Sequence, residues 1–281
     1  METRVSSATK EVIIGTGLPT VLIGERINPT GRKKMTEDLL AGNLELVRLE
    51  AIAQVKAGAD IIDVNVGAAG VNEVDMLPKA VKVVMEAVDA PISIDAQSPK
   101  ALEAALKVYK GKPLINSVKG DERSLEMVLP MIKEYGAAVV GLTVDERGLP
   151  KDADRRVEIA RKIIERAEQL GIPRQDVVID CVAMALAADS RADIPVLEAI
   201  RRIAANFGVN QTLGASNVSF NLPDRELLNR AFLAMAISAG VTCPIVEVAK
   251  ARPVVTATDL ILGHDDFARR FIKAYRERRQ S

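Results

Sequence analysis

The feature that most constrains this chain is an alternation. Eight short apolar, β-branched runs recur along its 281 residues, separated by stretches of helical periodicity. The runs are 20–24 (TVLIG), 60–65 (DIIDVN), 91–95 (PISID), 113–117 (PLINS), 137–143 (AAVVGLT), 176–180 (DVVID), 212–216 (TLGAS) and 242–247 (TCPIVE). Most are bounded by Gly or Pro and lack a period of two, the pattern of strands buried on both faces of a parallel sheet. Between them, 43–57 places Leu46, Leu49, Ile52, Ala53 and Val55 near helical spacing. Ser98 and Pro99 have the chemistry of an N-cap and first helical residue. Segment 155–170 carries Val157, Ile159, Ile163 and Ile164 opposite a charged face, and Pro223-Asp224 opens a helix through Leu227, Leu228, Phe232 and Met235. Gly58, Gly136 and Gly171 stand just past helix ends.

About eight strands alternating with about eight helices predict an α/β fold, a (β/α)8 TIM barrel. An open doubly wound sheet is the competing architecture. No G-x-G-x-x-G follows the first run, which argues against dinucleotide binding. No linker or low-complexity segment interrupts the pattern. The expectation is one domain over 1–281, with 1–19 preceding the first strand and capping the barrel floor.

Composition narrows the chemistry. Lys plus Arg and Asp plus Glu both total 38, and the chain has no Trp, three Tyr and five Phe. This gives neither the charge nor the stacking surface for nucleic acid. One His and two Cys leave little for a His/Cys zinc site or a His-dependent triad beyond His264. Cys181 and Cys243 read as small buried residues in a reducing compartment. Residues 1–11 hold no apolar signal core, and no apolar run reaches membrane-spanning length, so the expected location is cytoplasmic with no membrane contact.

In a barrel, residues at the C-terminal ends of the strands converge on one mouth. Here those ends are polar: Glu25, Arg26 and Asn28; Asp63 and Asn65; Asp95 and Gln97; Asn116; Asp180; Ser216 and Asn217, with Asn221 and Arg225 beyond. Singly, each has an ordinary explanation as a turn former or cap. Together, carboxylates and amides without His point to hydrogen-bonding recognition of a flat polar heterocycle.

The motifs LIGERINPTG, DVNVG, SIDAQ, INSVKGDE, GLTVDERGLPKD, VIDC and LGASNVSFNLPDR occur in this order over 20–275. On these residues the chain resembles the pterin-binding barrels, and among them the methyltetrahydrofolate:corrinoid protein methyltransferases. The GER-N segment with SNVS is the most specific pair. The resemblance implies transfer of the N5 methyl of 5-methyltetrahydrofolate to or from the cobalt of a corrinoid (cobalamin), carried by a separate corrinoid protein, and a homodimer. It implies that Asp95, Asn116 and Asp180 hold the pterin ring, that Asp63 and Asn65 support that pocket, that Asn217 acts beside N5, and that Ser216 and Arg225 border the rest of the folate. No metal ligated by the chain itself is implied. The D-x-H-x-x-G signature of cobalamin binding is absent, and the single His lies in GHDDF.

Two alternatives share the barrel. Dihydropteroate synthase would be expected to carry a Ser-x-Lys type motif where this chain has Ser216-Asn217-Val218. A catalytically silent pterin-binding subunit would not be expected to keep Asn217, Asp95, Asn116 and Asp180 together. One departure from the family pattern is Phe220, where the acetogen-type enzyme carries Gln. Segment 28–34 (NPTGRKK) lacks P-loop spacing and reads as a basic loop at the mouth. Asp121 and Glu122 read as helix-start residues, His264 as a surface or capping residue, and the run Arg269, Arg270, Lys273, Arg276, Arg278, Arg279 as a solvated basic helix end.

Overall fold

The structure, a computed structural model, describes residues 1–280. Two strands, β1 (Glu2–Ser6) and β2 (Glu11–Gly15), form an antiparallel hairpin. Eight parallel strands follow: β3 (Ile23–Ile27), β4 (Ile61–Asn65), β5 (Ile92–Asp95), β6 (Leu114–Lys119), β7 (Ala138–Leu142), β8 (Val177–Asp180), β9 (Gln211–Thr212) and β10 (Ile245–Val246). The helices are α1 (Lys33–Leu40), α2 (Glu45–Ala57), α3 (Glu73–Ala87), α4 (Pro99–Leu106), α5 (Glu122–Tyr135), α6 (Ala153–Gln169), α7 (Ile194–Phe207), α8 (Arg225–Ala239), α9 (Val248–Ile261) and α10 (Arg269–Gln280). The parallel sheet runs β10-β3-β4-β5-β6-β7-β8-β9, and a bridge between Gly214 and Ile245 joins its two ends. The chain is a (β/α)8 barrel, as the alternation predicts.

The hairpin is not legible in the sequence pattern. Its Val5, Val12 and Ile14 are buried in one cluster with Ile23, Ile61, Leu114 and Ala138, the first residues of β3, β4, β6 and β7. The N-terminal end of the barrel is thereby filled with apolar side chains. The polar residues lie at the opposite end.

The periodicity places most helices correctly and two faces incorrectly. Val157, Ile159, Ile163 and Ile164 are buried on α6. The Oγ of Ser98 caps α4, accepting from the Ala101 N–H at 3.4 Å. On α2, Leu49 and Ile52 face solvent, while Val47, Ala51 and Gln54 are buried. A polar residue sits on the inward stripe because it has a bond to make. The Arg26 N–H, at the bulge in β3, donates to Gln54 Oε1 at 2.8 Å. On α8, Leu227 and Met235 are likewise exposed and Phe232 is buried. Strands β9 and β10 are two residues long, because Gly214 leads into a 3-10 turn (Ala215–Ser219) and Pro244 has no N–H to donate.

The basic end of the chain is only partly a solvated face. Arg270 reaches the fully buried Asp259 at 3.0 Å, and Asp259 in turn accepts from the N–H and hydroxyl of Thr20 at 3.1 and 2.6 Å. Helix α10 is thus tied to the segment entering β3.

Candidate active site

Strand register assembles half of the site. Parallel pairing sets Asp63 beside Ser93, Asn65 beside Asp95, and Asp95 beside Asn116. The Asp63 Oδ1 accepts from Ser93 Oγ at 2.6 Å and from Asn116 Nδ2 at 3.3 Å. The Asn65 Nδ2 donates to Asp95 Oδ2 at 2.8 Å, and its Oδ1 accepts from the Gly67 N–H at 2.7 Å. On β8, Asp180 Oδ1 accepts from the Val182 N–H at 2.6 Å. Val182 holds this turn at φ 55°, a left-handed conformation that a β-branched residue rarely adopts. Behind it the fully buried Arg156 donates to the Cys181 carbonyl.

Burial dominates the electrostatics of this group. Asp63 is pushed well above the usual carboxylate range by burial, and further by the charge of Asp95. Burial pushes Asp95 up to about 6, opposed by the hydrogen bond from Asn65. Burial pushes Asp180 up to about 7, opposed by the Val182 N–H and by Arg156. Each of these three carboxyl groups is thus held above its ordinary range chiefly by burial, with part of its hydrogen-bonding capacity already used within the mouth.

The other half of the mouth is a cavity of about 610 Å³ beside β3, β10 and the turn after β9. Glu25, Arg26, Arg32, Ser216, Asn217, Phe220, Arg225, Glu247 and Lys250 are among its lining residues. Ser216 Oγ donates to Glu25 Oε2 at 2.9 Å. Arg225 binds its own turn: its Nη2 donates to the Ser216 carbonyl and its Nε to Ser219 Oγ, both at 3.0 Å. Its guanidinium also stacks on the Phe220 ring, 4.8 Å from the centroid. Phe220 therefore serves as a platform for Arg225 as well as a wall of the cavity.

Of the eight residues singled out from the sequence, Asp63, Asn65, Asp95, Asn116 and Asp180 lie on β4, β5, β6 and β8, Ser216 and Asn217 in the turn after β9, and Arg225 at the start of α8. Asp63, Asn65, Asp95 and Asn116 form bonded pairs, and Asp180 stands on the same mouth at β8. Ser216, Asn217 and Arg225 line the cavity, whereas the acidic group is outside its lining. Glu25, absent from those eight, also lines the cavity. Its signal was the GER segment itself. Segment 28–34 is a mouth loop: Thr30, Gly31 and Arg32 line the cavity, and Arg32 pairs with Glu50. Asp121 caps α5, accepting from the Ser124 N–H at 2.9 Å, and Glu122 pairs with Lys162 at 2.9 Å. Cys181 is buried, and burial raises its thiol far above the usual range, so it is no nucleophile at neutral pH.

A barrel whose mouth carries Asp95, Asn116 and Asp180 on β5, β6 and β8, with an amide-bearing turn opposite, has the hydrogen-bonding groups to recognise a flat polar heterocycle such as a pterin. Comparison with known proteins agrees. The family model "Pterin binding enzyme" matches residues 24–247, and the chain belongs to that family. It is 31% identical over 267 residues to a methylcorrinoid:tetrahydrofolate methyltransferase of Eubacterium limosum, covering 92% of this chain and 96% of the relative. It is 32% identical over 250 residues to the methionine synthase of Mycobacterium leprae, of which it spans 21%. Among solved structures it resembles dihydropteroate synthase from Xanthomonas albilineans in complex with 7,8-dihydropteroate, with a TM-score of 0.69, 19% identity, and coverage of 92% of this chain and 98% of that one. At that identity the likeness concerns the fold alone. No described helix is long and apolar enough to cross a membrane.

Proposed function

We propose that this chain is a methyltransferase that moves a methyl group between N5 of tetrahydrofolate and the cobalt of a corrinoid held by a separate protein. The observation that carries this reading is the paired arrangement at the mouth. A preformed Asp-Asn-Asp surface on β5, β6 and β8 faces the same opening as the Ser216-Asn217 turn. The likeness to the methylcorrinoid:tetrahydrofolate methyltransferase over nearly all of both chains supports the same reaction.

In this reading Asp95, Asn116 and Asp180 bind the amino group and ring nitrogens of the pterin. Asp63 and Asn65 orient them: Asp63 holds the Asn116 amide, and Asn65 holds one oxygen of Asp95. The free lone pairs are then directed at the ring. Asn217 presents its side-chain oxygen to N5 as positive charge develops there, and Ser216 and Arg225 fix the turn that carries it. The corrinoid enters as a substrate on its partner protein.

Two copies of the chain form the functional unit in this reading. The exposed apolar stripe Leu227, Ala231 and Met235 on α8 supports it. The two buried free thiols, Cys181 and Cys243, favour the reducing cytoplasm as its compartment. The function is tested by mixing the purified protein with free cob(I)alamin and 5-methyltetrahydrofolate and following methylcobalamin by its absorbance. Enzyme-dependent methylcobalamin formation is the expected result. Tight folate binding with no transfer, in either direction, would reduce the chain to a pterin-binding subunit.

A further inference from the structure

We infer that Glu25 is a catalytic residue of the methyl transfer, the group that takes the N5 proton when tetrahydrofolate is methylated and returns it in the reverse direction. The inference rests on the reading above, in which N5 lies beside Asn217.

Three carboxylates line the cavity: Glu25, Glu226 and Glu247. Two are held by cations, Glu226 by Arg230 and Glu247 by Lys250 at 2.9 Å. Glu25 has no cation within ion-pair distance among the described residues; its side-chain hydrogen bond comes from the Ser216 hydroxyl, at 2.9 Å to Oε2. Ser216 immediately precedes Asn217, and both line the same cavity. The carboxyl that lacks a counter-ion is therefore bonded to the neighbour of the amide assigned to N5, with Oε1 left for a ligand or a bridging water. Across the mouth, Asp63 and Asp95 are engaged by Ser93, Asn116 and Asn65, and Asp180 by the Val182 N–H. Those carboxyls are committed to the ring, which leaves Glu25 for the proton.

The step balances. The N5 lone pair attacks the cobalt-bound methyl, and a C–N bond forms. The Co–C bond breaks with its electron pair going to cobalt, giving Co(I). N5 then carries both the methyl and its original hydrogen as an ammonium, and its proton passes to the Glu25 carboxylate. In reverse, neutral Glu25 protonates the N5 lone pair. Co(I) attacks the methyl, and the C–N pair returns to nitrogen. Groups from every side set the affinity of Glu25 for that proton. Burial is foremost and raises it, the Ser216 hydroxyl lowers it, Glu247 raises it, and Arg26 and Arg225 lower it. The net effect keeps the carboxyl above its ordinary range, toward the pH at which an acid-base group works well.

The test uses single-turnover transfer from 5-methyltetrahydrofolate to free cob(I)alamin across pH, with folate affinity titrated separately. Wild-type transfer is expected to fall as pH rises through the Glu25 titration. Glu25→Gln, isosteric but unable to give a proton, is expected to slow transfer about 10²-fold, flatten that limb and leave folate affinity within a few-fold of wild type. Glu25→Asp is expected to retain the limb. Ser216→Ala, which removes a bond favouring the carboxylate, is expected to move the limb to higher pH. Wild-type rates and an unchanged pH profile in Glu25→Gln would overturn the inference, as would a loss confined to folate affinity. If wild-type protein itself transfers no methyl, the methyltransferase reading fails instead, and the two failures are distinguishable.

Discussion

The two sides of the barrel mouth are built differently. On β4, β5, β6 and β8 the polar groups stand on strands, and register alone sets Asn65 beside Asp95 and Asp95 beside Asn116. Each is braced by a neighbour before any ligand arrives. On the cavity side Ser216 and Asn217 ride a 3-10 turn of five residues, and Asn217 has no side-chain hydrogen bond among the described residues. That turn is held from outside by Arg225 and Glu25. Recognition of a fixed heterocycle suits rigid strands. A group that must answer a developing charge, and admit a bulky cobalt centre, suits a turn at the edge of an open cavity.

The sharpest test of this division separates rate from affinity. Asn217→Ala is expected to lower methyl transfer by about 10²–10³, the scale of losing one positioned stabilising group, with only a small loss in folate affinity. Single-turnover rates and a binding titration on the same variant decide it. Asp180→Asn is expected to do the reverse. Losing a charge-assisted bond to the ring costs about 1.5–3 kcal/mol, roughly 10–150-fold in affinity, with a smaller effect on transfer at saturating folate. If Asn217→Ala weakened binding more than rate, the division between the two sides would collapse.

Much of this was legible in the sequence, and what was not has physical causes. The eight runs fixed the barrel because buried parallel strands leave a nearly continuous apolar signature. Asp63, Asn65, Asp95, Asn116 and Asp180 were legible because each is a polar residue within or at the end of such a run. Glu25 was harder to place, because its meaning comes from Ser216, 191 positions away in the chain. The inward face of α2 was misread for a related reason. Gln54 is polar yet buried, serving the Arg26 N–H at the bulge of β3, while the apolar Leu49 and Ile52 face outward. The hairpin of β1 and β2 was missed because its strands are short and mix charged and apolar residues. The hairpin packs against Ile23, Ile61, Leu114 and Ala138, on strands farther along the chain.

The strand side should also reveal itself in the pH dependence of stability. Asp95 and Asp180 carry folded-state pKa values of about 6 and about 7 against 3.8 for the free side chain. Between those values the native state binds more protons than the unfolded one, so stability falls as pH rises from about 4 toward 7. The ligand-free protein is therefore expected to melt at higher temperature near pH 5 than near pH 7.5, and folate is expected to offset the loss. Asp180→Asn, which removes the larger titration, should flatten the profile and raise the melting temperature at neutral pH. The same substitution is expected to weaken folate binding, so opposite signs for stability and affinity identify a carboxylate kept for its ligand.

The smallest expected effect probes the turn side without removing any functional group. Gly214 links β9 to the turn, and a Cβ built there would lie 3.2 Å from Asn217 Nδ2. That is tighter than ordinary van der Waals contact, so the amide must shift by a few tenths of an ångström to accept it. Gly214 has φ −75°, outside the left-handed region that favours glycine, so its backbone does not exclude alanine. Gly214→Ala should therefore fold with a melting temperature close to wild type and bind folate unchanged, because the groups proposed to bind the ring lie on other strands. Its transfer rate should fall by about threefold to tenfold, a fraction of what a full ångström of misplacement costs. The double variant Gly214→Ala/Asn217→Ala should be no slower than Asn217→Ala alone, since the displaced group is gone. A further additive loss would mean that Gly214 acts through the closing bridge to Ile245 rather than through Asn217.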